Sequence, residues 1–290
     1  SSENTIVIIG FGNYGRCILE RAILTNIISV GQHVAYHIFG DASVFLAMHS
    51  HLHETFSLNR ESATRDSLIF HDDLWEQCAE LLGRADRIII CTDDEPDGWN
   101  IFWRLNSYYK IRGQIHLRSS QKAPGVSYFG ANEEIYTPDQ IMRTTLNKAA
   151  VAINELFRQS VSYPTLSWDD LDAIHRESKI SAADHILAKI RILLNDETLV
   201  EVTPAIIRAA NAEYIENKKS DFMRDMYRRL DHSRWLRFYT FYNWSYGPAR
   251  DDFARQHPML CPYEDLNPEQ KRERDAAWEL LSCLAMDTFL

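Results

Sequence analysis

No run of apolar residues approaches the roughly 20 needed for a helical membrane span, and the N-terminus enters a strand pattern at Thr5 without the basic and apolar regions of a secretory signal. Basic charge is scarce as well: 31 Lys and Arg stand against 41 Asp and Glu, a formal net charge of -10. Phosphate-backbone binding needs an excess of the opposite sign, and the one basic cluster, Lys218 to Arg229, is interrupted by acids. Nucleic acid is therefore not an expected partner. The five cysteines, Cys17, Cys78, Cys91, Cys261 and Cys283, contain no CxxC spacing. Neither a disulfide framework nor a thiolate zinc site is expected, and a reducing cytoplasm fits best. No P-loop and no nucleophile with a local base signature occur, so no catalytic residues are assigned and no enzyme is expected. The chain begins Ser1-Ser2 and not with Met, which leaves open a longer native protein whose membrane segment would hold this part at the inner face of the membrane.

What is present divides in two. With 290 residues, 45% hydrophobic and 25% charged, the chain suffices for two ordinary domains. From Thr5 to about Phe129, β-branched runs alternate with helical patterns, which predicts βαβ units on a parallel sheet. The expected strands are 5–9, 33–39, 67–70, 86–91, 114–117 and 126–129, with helices at 74–82 and 100–110. Thr137-Pro138 then reads as a helix start, and Met142, Leu146, Ala149, Ile153, Leu156 and Phe157 recur at helical spacing. Tyr163-Pro164 breaks this long helix. Beyond Trp168 no convincing strand follows, and helix starts are expected at Ser167, Ser181 and Thr203-Pro204. The expected organisation is a Rossmann-like, doubly wound α/β domain over 1–135, a connecting or dimerisation helix over 136–160, and an all-α domain over 161–290.

The first strand runs into Gly10-Phe11-Gly12-Asn13-Tyr14-Gly15 and then a helix pattern, the context in which GxGxxG binds a dinucleotide. Gly10 would make the tight turn, Gly12 admit a pyrophosphate, and Gly15 allow close helix packing, with phosphate against the helix N-terminus. Asp41, ending the second strand, could accept hydrogen bonds from ribose hydroxyls and would repel a 2'-phosphate, favouring NAD or another adenine nucleotide over NADP. The plain structural alternatives are a turn that has lost its ligand and, for Asp41, a solvated acid. This segment resembles the NAD-binding domains of the TrkA-N, or RCK, family of bacterial potassium-transport regulators, including the small and acidic stretch Cys91-Thr92-Asp93-Asp94-Glu95 after the fourth strand. The resemblance covers about residues 4 to 160 and implies a domain that senses bound nucleotide without turnover, subunit pairing through the long helix, and an ion channel or transporter as output. The acidic stretch, with Thr92 and Asp93, could contact ribose or bind a cation, since open α/β sheets place ligands at strand C-termini. In the same stretch Asp94 and Glu95 precede Pro96 and are expected to cap the next helix.

Late in the chain stand Leu230-Asp231-His232-Ser233-Arg234-Trp235, Asn243-Trp244-Ser245-Tyr246-Gly247-Pro248-Ala249-Arg250-Asp251 and His257-Pro258-Met259-Leu260. Planar side chains at Trp235, Trp244 and Tyr246 could stack on a base, and Arg234, Arg250, His232 and His257 could hold phosphates; equally, the aromatics could be core. The pattern is similar to the ryanodine-receptor (RyR) domain family, carried by His232, Trp235, Trp244, Tyr246, Gly247, Arg250, Asp251, His257, Pro258 and Leu260, with Asn243 where that family has glycine. Upstream, His175-Arg176-Glu177-Ser178 and Ala182-Ala183-Asp184-His185 resemble a segment of bacterial proteins that join the two modules. Two other signals are set aside: His49, His51 and His53 lack a fourth ligand motif for zinc, and Tyr214 with Lys218 makes a YxxxK spacing in the wrong half of the chain. The leading expectation is a nucleotide-responsive sensor that works as a homodimer or higher oligomer. The alternatives are a second-messenger receptor in the RyR-like part, and an NAD-dependent oxidoreductase.

Overall fold

A computed structural model of the chain describes residues 3–52, 64, 66–135, 137–138, 142, 144–161 and 165–286. They fall into two compact units, the first from residues within 3–22, 32–52 and 66–142, the second from 23–31, 64 and 144–286.

In the first unit six strands alternate with helices: β1 (Asn4–Ile9), α1 (Asn13–Thr25), β2 (Val34–Phe39), α2 (Ser43–Met48), β3 (Ser67–His71), a short 3-10 turn (Trp75–Gln77), α3 (Ala79–Arg84), β4 (Arg87–Ile90), α4 (Glu95–Tyr108), β5 (Gln114–Arg118), β6 (Ser127–Phe129) and α5 (Asn132–Ile135). All strand pairs are parallel, in the order β3-β2-β1-β4-β5-β6. Val7 of β1 stands opposite His37 of β2 and Ile88 of β4. Strands covered on both faces lose the apolar–polar alternation and read as continuous β-branched runs; every residue of β2 is buried. This is the Rossmann-like fold, and all six expected strands are present with ends shifted by a residue or two. The order reverses between β1 and β4, so the crevice at their C-terminal ends is where such sheets place ligands. The expected helix 74–82 is instead a 3-10 turn followed by α3, because Cys78 leaves helical geometry at φ -101°, ψ 42°.

The second unit holds α6 (Thr144–Ser160), α7 (Ala173–Asp184), α8 (Ile186–Leu194), α9 (Pro204–Asn217), α10 (Asp221–Phe241), β7 (Ser245–Tyr246), β8 (Gln256–His257), α11 (Pro268–Arg272) and α12 (Ala276–Ala285), with 3-10 turns at Tyr263–Asp265 and Glu273–Asp275. Small side chains at Ala150, Ala182, Ala183 and Ala277 bring α6, α7 and α12 together around Ile153 and Leu280. A second cluster gathers Ile190, Ile207, Tyr214, Tyr227, Leu230 and Trp278. α9 begins as expected, Thr203 Oγ1 accepting from Ile206 N at 3.3 Å. Ser181 does not start a helix: α7 is capped by Asp172, whose carboxylate accepts from His175 N, and Ser181 is a buried interior residue of it. Ser167 likewise heads a turn, donating to Asp170 at 2.6 Å, and not a helix. The strands β7 and β8 pair in parallel; two residues each is too short for periodicity to reveal. The expected break at Tyr163-Pro164 and most of the helix start after Pro138 lie outside the described residues. Among the described residues no helix is long and apolar enough to cross a membrane.

Candidate functional site

The glycine turn leaves β1 and enters α1 in the expected register. Its fit to a phosphate is altered by Asp93, which follows β4. The Asp93 carboxylate accepts from Asn13 N at 3.2 Å and from Tyr14 N at 3.3 Å. A Cβ on Gly12 would lie 2.3 Å from Asp93 Oδ2, so the missing side chain admits a carboxylate of the protein itself. The exposed amides and the positive end of α1, which would attract an anion, are thereby met internally. The Arg118 guanidinium lies 3.6 Å from the centre of the Tyr14 ring and points one amine at the carbonyls of Thr92 and Asp93. Thr92 donates to Asp94 O at 2.7 Å. Phe11 is core, edge-on to Phe45 at 5.3 Å, and Gly15 and Gly10 pack backbone against backbone. Asp41 is exposed, and its carboxylate accepts from Ser43 N at 2.9 Å. Burial pushes the neighbouring Cys91 thiol up to about 12, with Asp93 adding to it.

The helix-capping expectation for Asp94 and Glu95 needs correction. Asp94 stands at the N-cap of α4, but its side chain makes no capping hydrogen bond. The Glu95 carboxylate instead accepts from Ser119 Oγ at 3.2 Å and Ser120 N at 3.0 Å. The acid of this stretch that caps a helix is Asp93, on α1.

The second unit contains a cavity of about 540 Å³ walled by α6, α7, α10, the β7–β8 loop region and the start of α12. From the expected second pocket it draws Arg234, Trp235, Arg250 and His257. The other three stand elsewhere. His232 is buried and donates from Nε2 to Cys261 O at 2.8 Å. Trp244 is core, edge-on to Tyr239 at 5.1 Å, and Tyr246 is exposed to solvent.

The cavity's polar groups are strongly coupled. Arg234 and Asp231, each 3% exposed, pair at 3.0 Å; burial raises the Asp231 carboxyl, but Arg234, Lys189 and Arg274 outweigh it and hold it at about 2. Arg250 is chelated by Asp252 at 2.7 and 3.0 Å and donates to His175 Nε2 at 2.8 Å. The Arg274 guanidinium lies 4.9 Å from the Trp235 ring centre, while Tyr239 packs on Trp235 at 4.7 Å. Burial, then Arg250 and Arg274, bring His257 down to about 4. An array of planar rings and guanidinium groups in one pocket suits a planar, anionic small molecule.

Residues 212–288 match the RyR domain. The RyR match covers α10, β7, β8, α11 and α12, and so contains Arg234, Trp235, Tyr239, Arg250, His257 and Arg274. The resemblance of the first unit to the TrkA-N family has no such family match, and no curated protein matches the chain. His175, Ser178 and Lys179, which also line the cavity, lie upstream of the RyR match on α7. Sequence reasoning passed over Lys179, Tyr239 and Arg274 because no motif joins residues from three separate segments; the His175–Ser178 resemblance was the one available signal. Tyr214 and Lys218 both bond to Glu279, at 2.9 Å each, which gives their spacing a structural use. His49 ends α2 and is not on a strand; His53 lies outside the described residues.

Proposed function

We propose that this chain is a ligand-sensing regulatory protein whose receptor is the RyR-domain cavity and whose ligand is a small molecule derived from a nucleotide. A volume of about 540 Å³ is that of an ordinary small-molecule site. Its rings can stack on a base, and its guanidinium groups can bind phosphate oxygens. The observation that favours the cavity over the glycine turn is the Asp93 carboxylate across the amides of Asn13 and Tyr14: phosphate there would first have to expel it.

A second reading, NAD or another adenine nucleotide at Gly10, Gly12, Gly15 and Asp41, is favoured by the reversal of strand order beside that turn. In either case the role is sensing and not turnover, with the bound state passed to a second copy of the chain or to a channel or transporter. One thermal-shift experiment separates the two readings, using NAD, NADH, AMP, ATP, ADP-ribose and cyclic dinucleotides. A compound at a hundred times its dissociation constant stabilises by about 2.7 kcal/mol. The stabilisation is expected to vanish in Arg250→Ala and to persist in Asp93→Ala. Loss of nothing in Arg250→Ala, with tighter binding in Asp93→Ala, would assign the receptor to the glycine turn.

A further inference from the structure

We infer that the cavity holds a phosphate seat in which Lys179 of α7 and Arg274 of the Glu273–Asp275 turn bind the anionic end of the ligand. The inference rests on the cavity being the receptor. It adds which end of the ligand is bound there, and it makes α7, outside the RyR match, part of the receptor.

Carboxylates account for the other cavity cations. Arg234 has Asp231, Arg250 has Asp252, and one amine of Arg274 reaches Glu273 at 3.3 Å. Lys179 meets no carboxylate or carbonyl among the described residues; its ammonium lies 3.9 Å from the centre of the Phe157 ring. Arg274 is 6% exposed, and its Nε has no hydrogen-bond partner. A buried donor without an acceptor, as at Arg274 Nε, is costly and uncommon in folded proteins, and the half-buried Lys179 ammonium has no protein anion among the described residues to satisfy it. Both residues line the same cavity, so one multivalent oxyanion entering it meets a donor left over on each. A phosphate group has the charge and the several acceptor oxygens this requires.

The seat also couples binding to protons. Burial, reinforced by Arg274 and Arg234 and opposed by Asp231 and Glu273, brings Lys179 down to about 7. An arriving oxyanion favours the protonated amine, so anion binding at Lys179 is linked to proton uptake. Above pH 7 the charged form falls about tenfold per pH unit, and anion affinity falls with it.

The test is calorimetric titration of the full chain with inorganic pyrophosphate at pH 7.5 and 8.5, in wild type, Lys179→Met and Lys179→Arg. Lys179→Met is expected to weaken binding at least tenfold at pH 7.5. Wild type should lose several-fold more affinity than Lys179→Arg between the two pH values, because arginine keeps its charge and the pyrophosphate's own titration is common to both. Equal affinity in wild type and Lys179→Met, or parallel pH profiles in wild type and Lys179→Arg, overturns the phosphate seat. If a nucleotide still stabilises the chain in an Arg250-dependent way while pyrophosphate ignores Lys179, the receptor reading survives and the seat does not. If no compound binds in an Arg250-dependent way, both fail.

Discussion

Asp93 shows how one side chain redirects a motif. Its carboxylate sits where a dinucleotide's phosphate would, bonded to two amides some 80 residues earlier in the chain. A contact over that separation has no local signature, so the sequence points to Asp94 and Glu95, next to Pro96, as the capping acids. Arg250 was legible because the RyR-like pattern contains it; Lys179 and Arg274 were not, since each becomes a site residue only when α7 and the Glu273–Asp275 turn come together. Two histidines carry a further consequence. His185 and His232 donate from Nε2 to the carbonyls of Ile27 and Cys261, and their Nδ1 atoms are buried without partners. Burial, with nearby Lys189 for His185 and Arg274 for His232, brings them down to about 3 and about 4. Unfolding below their ordinary value of 6.5 takes up protons. Their contribution is therefore intact above pH 6.5 and lost as pH falls towards 4, at up to about 1.4 kcal/mol per pH unit for each. His232→Gln keeps an N–H donor without titrating. Urea midpoints at pH 7 and pH 5 should differ less in that variant than in wild type; equal differences would show that His232 is not neutral in the fold.

Among the elements, those with a one-face or two-face burial pattern were the readable ones. The central strands β1 and β4 are β-branched runs, Thr5 to Ile9 and Ile88 to Ile90, and α9 announces itself with Thr203-Pro204. α10 is different: from Leu230 to Phe241 every residue is buried, Asp231, His232, Arg234 and Arg237 included. Those four polar residues are spread around the helix, so no apolar stripe in the sequence reveals that it is enclosed on all sides. The helix tolerates them because they have partners: Arg237 donates to the Ile23 carbonyl and the Thr64 hydroxyl, and Arg234 pairs with Asp231. Removing one member leaves a buried charge without its partner, a loss of about 3–5 kcal/mol. Asp231→Leu is accordingly expected to lower the free energy of unfolding by that amount, read from urea denaturation. A change below about 1 kcal/mol would mean that water reaches Arg234.

At the scale of the whole molecule, composition and periodicity sufficed to separate a Rossmann-like α/β part from a helical part with an RyR match. They did not reveal which part holds the better receptor, because that depends on side chains meeting across segments: Asp93 closing one site, and α6, α7, α10 and α12 walling the other. The most direct test of the receptor assignment is amide hydrogen exchange of the full chain, with and without the panel nucleotide that gives the largest thermal shift. Slowed exchange is expected in α7 and in residues 231–239 of α10, with the turn at residues 10–15 unchanged. Protection confined to residues 10–15 and 92–93, with α7 and α10 exchanging as before, would contradict it.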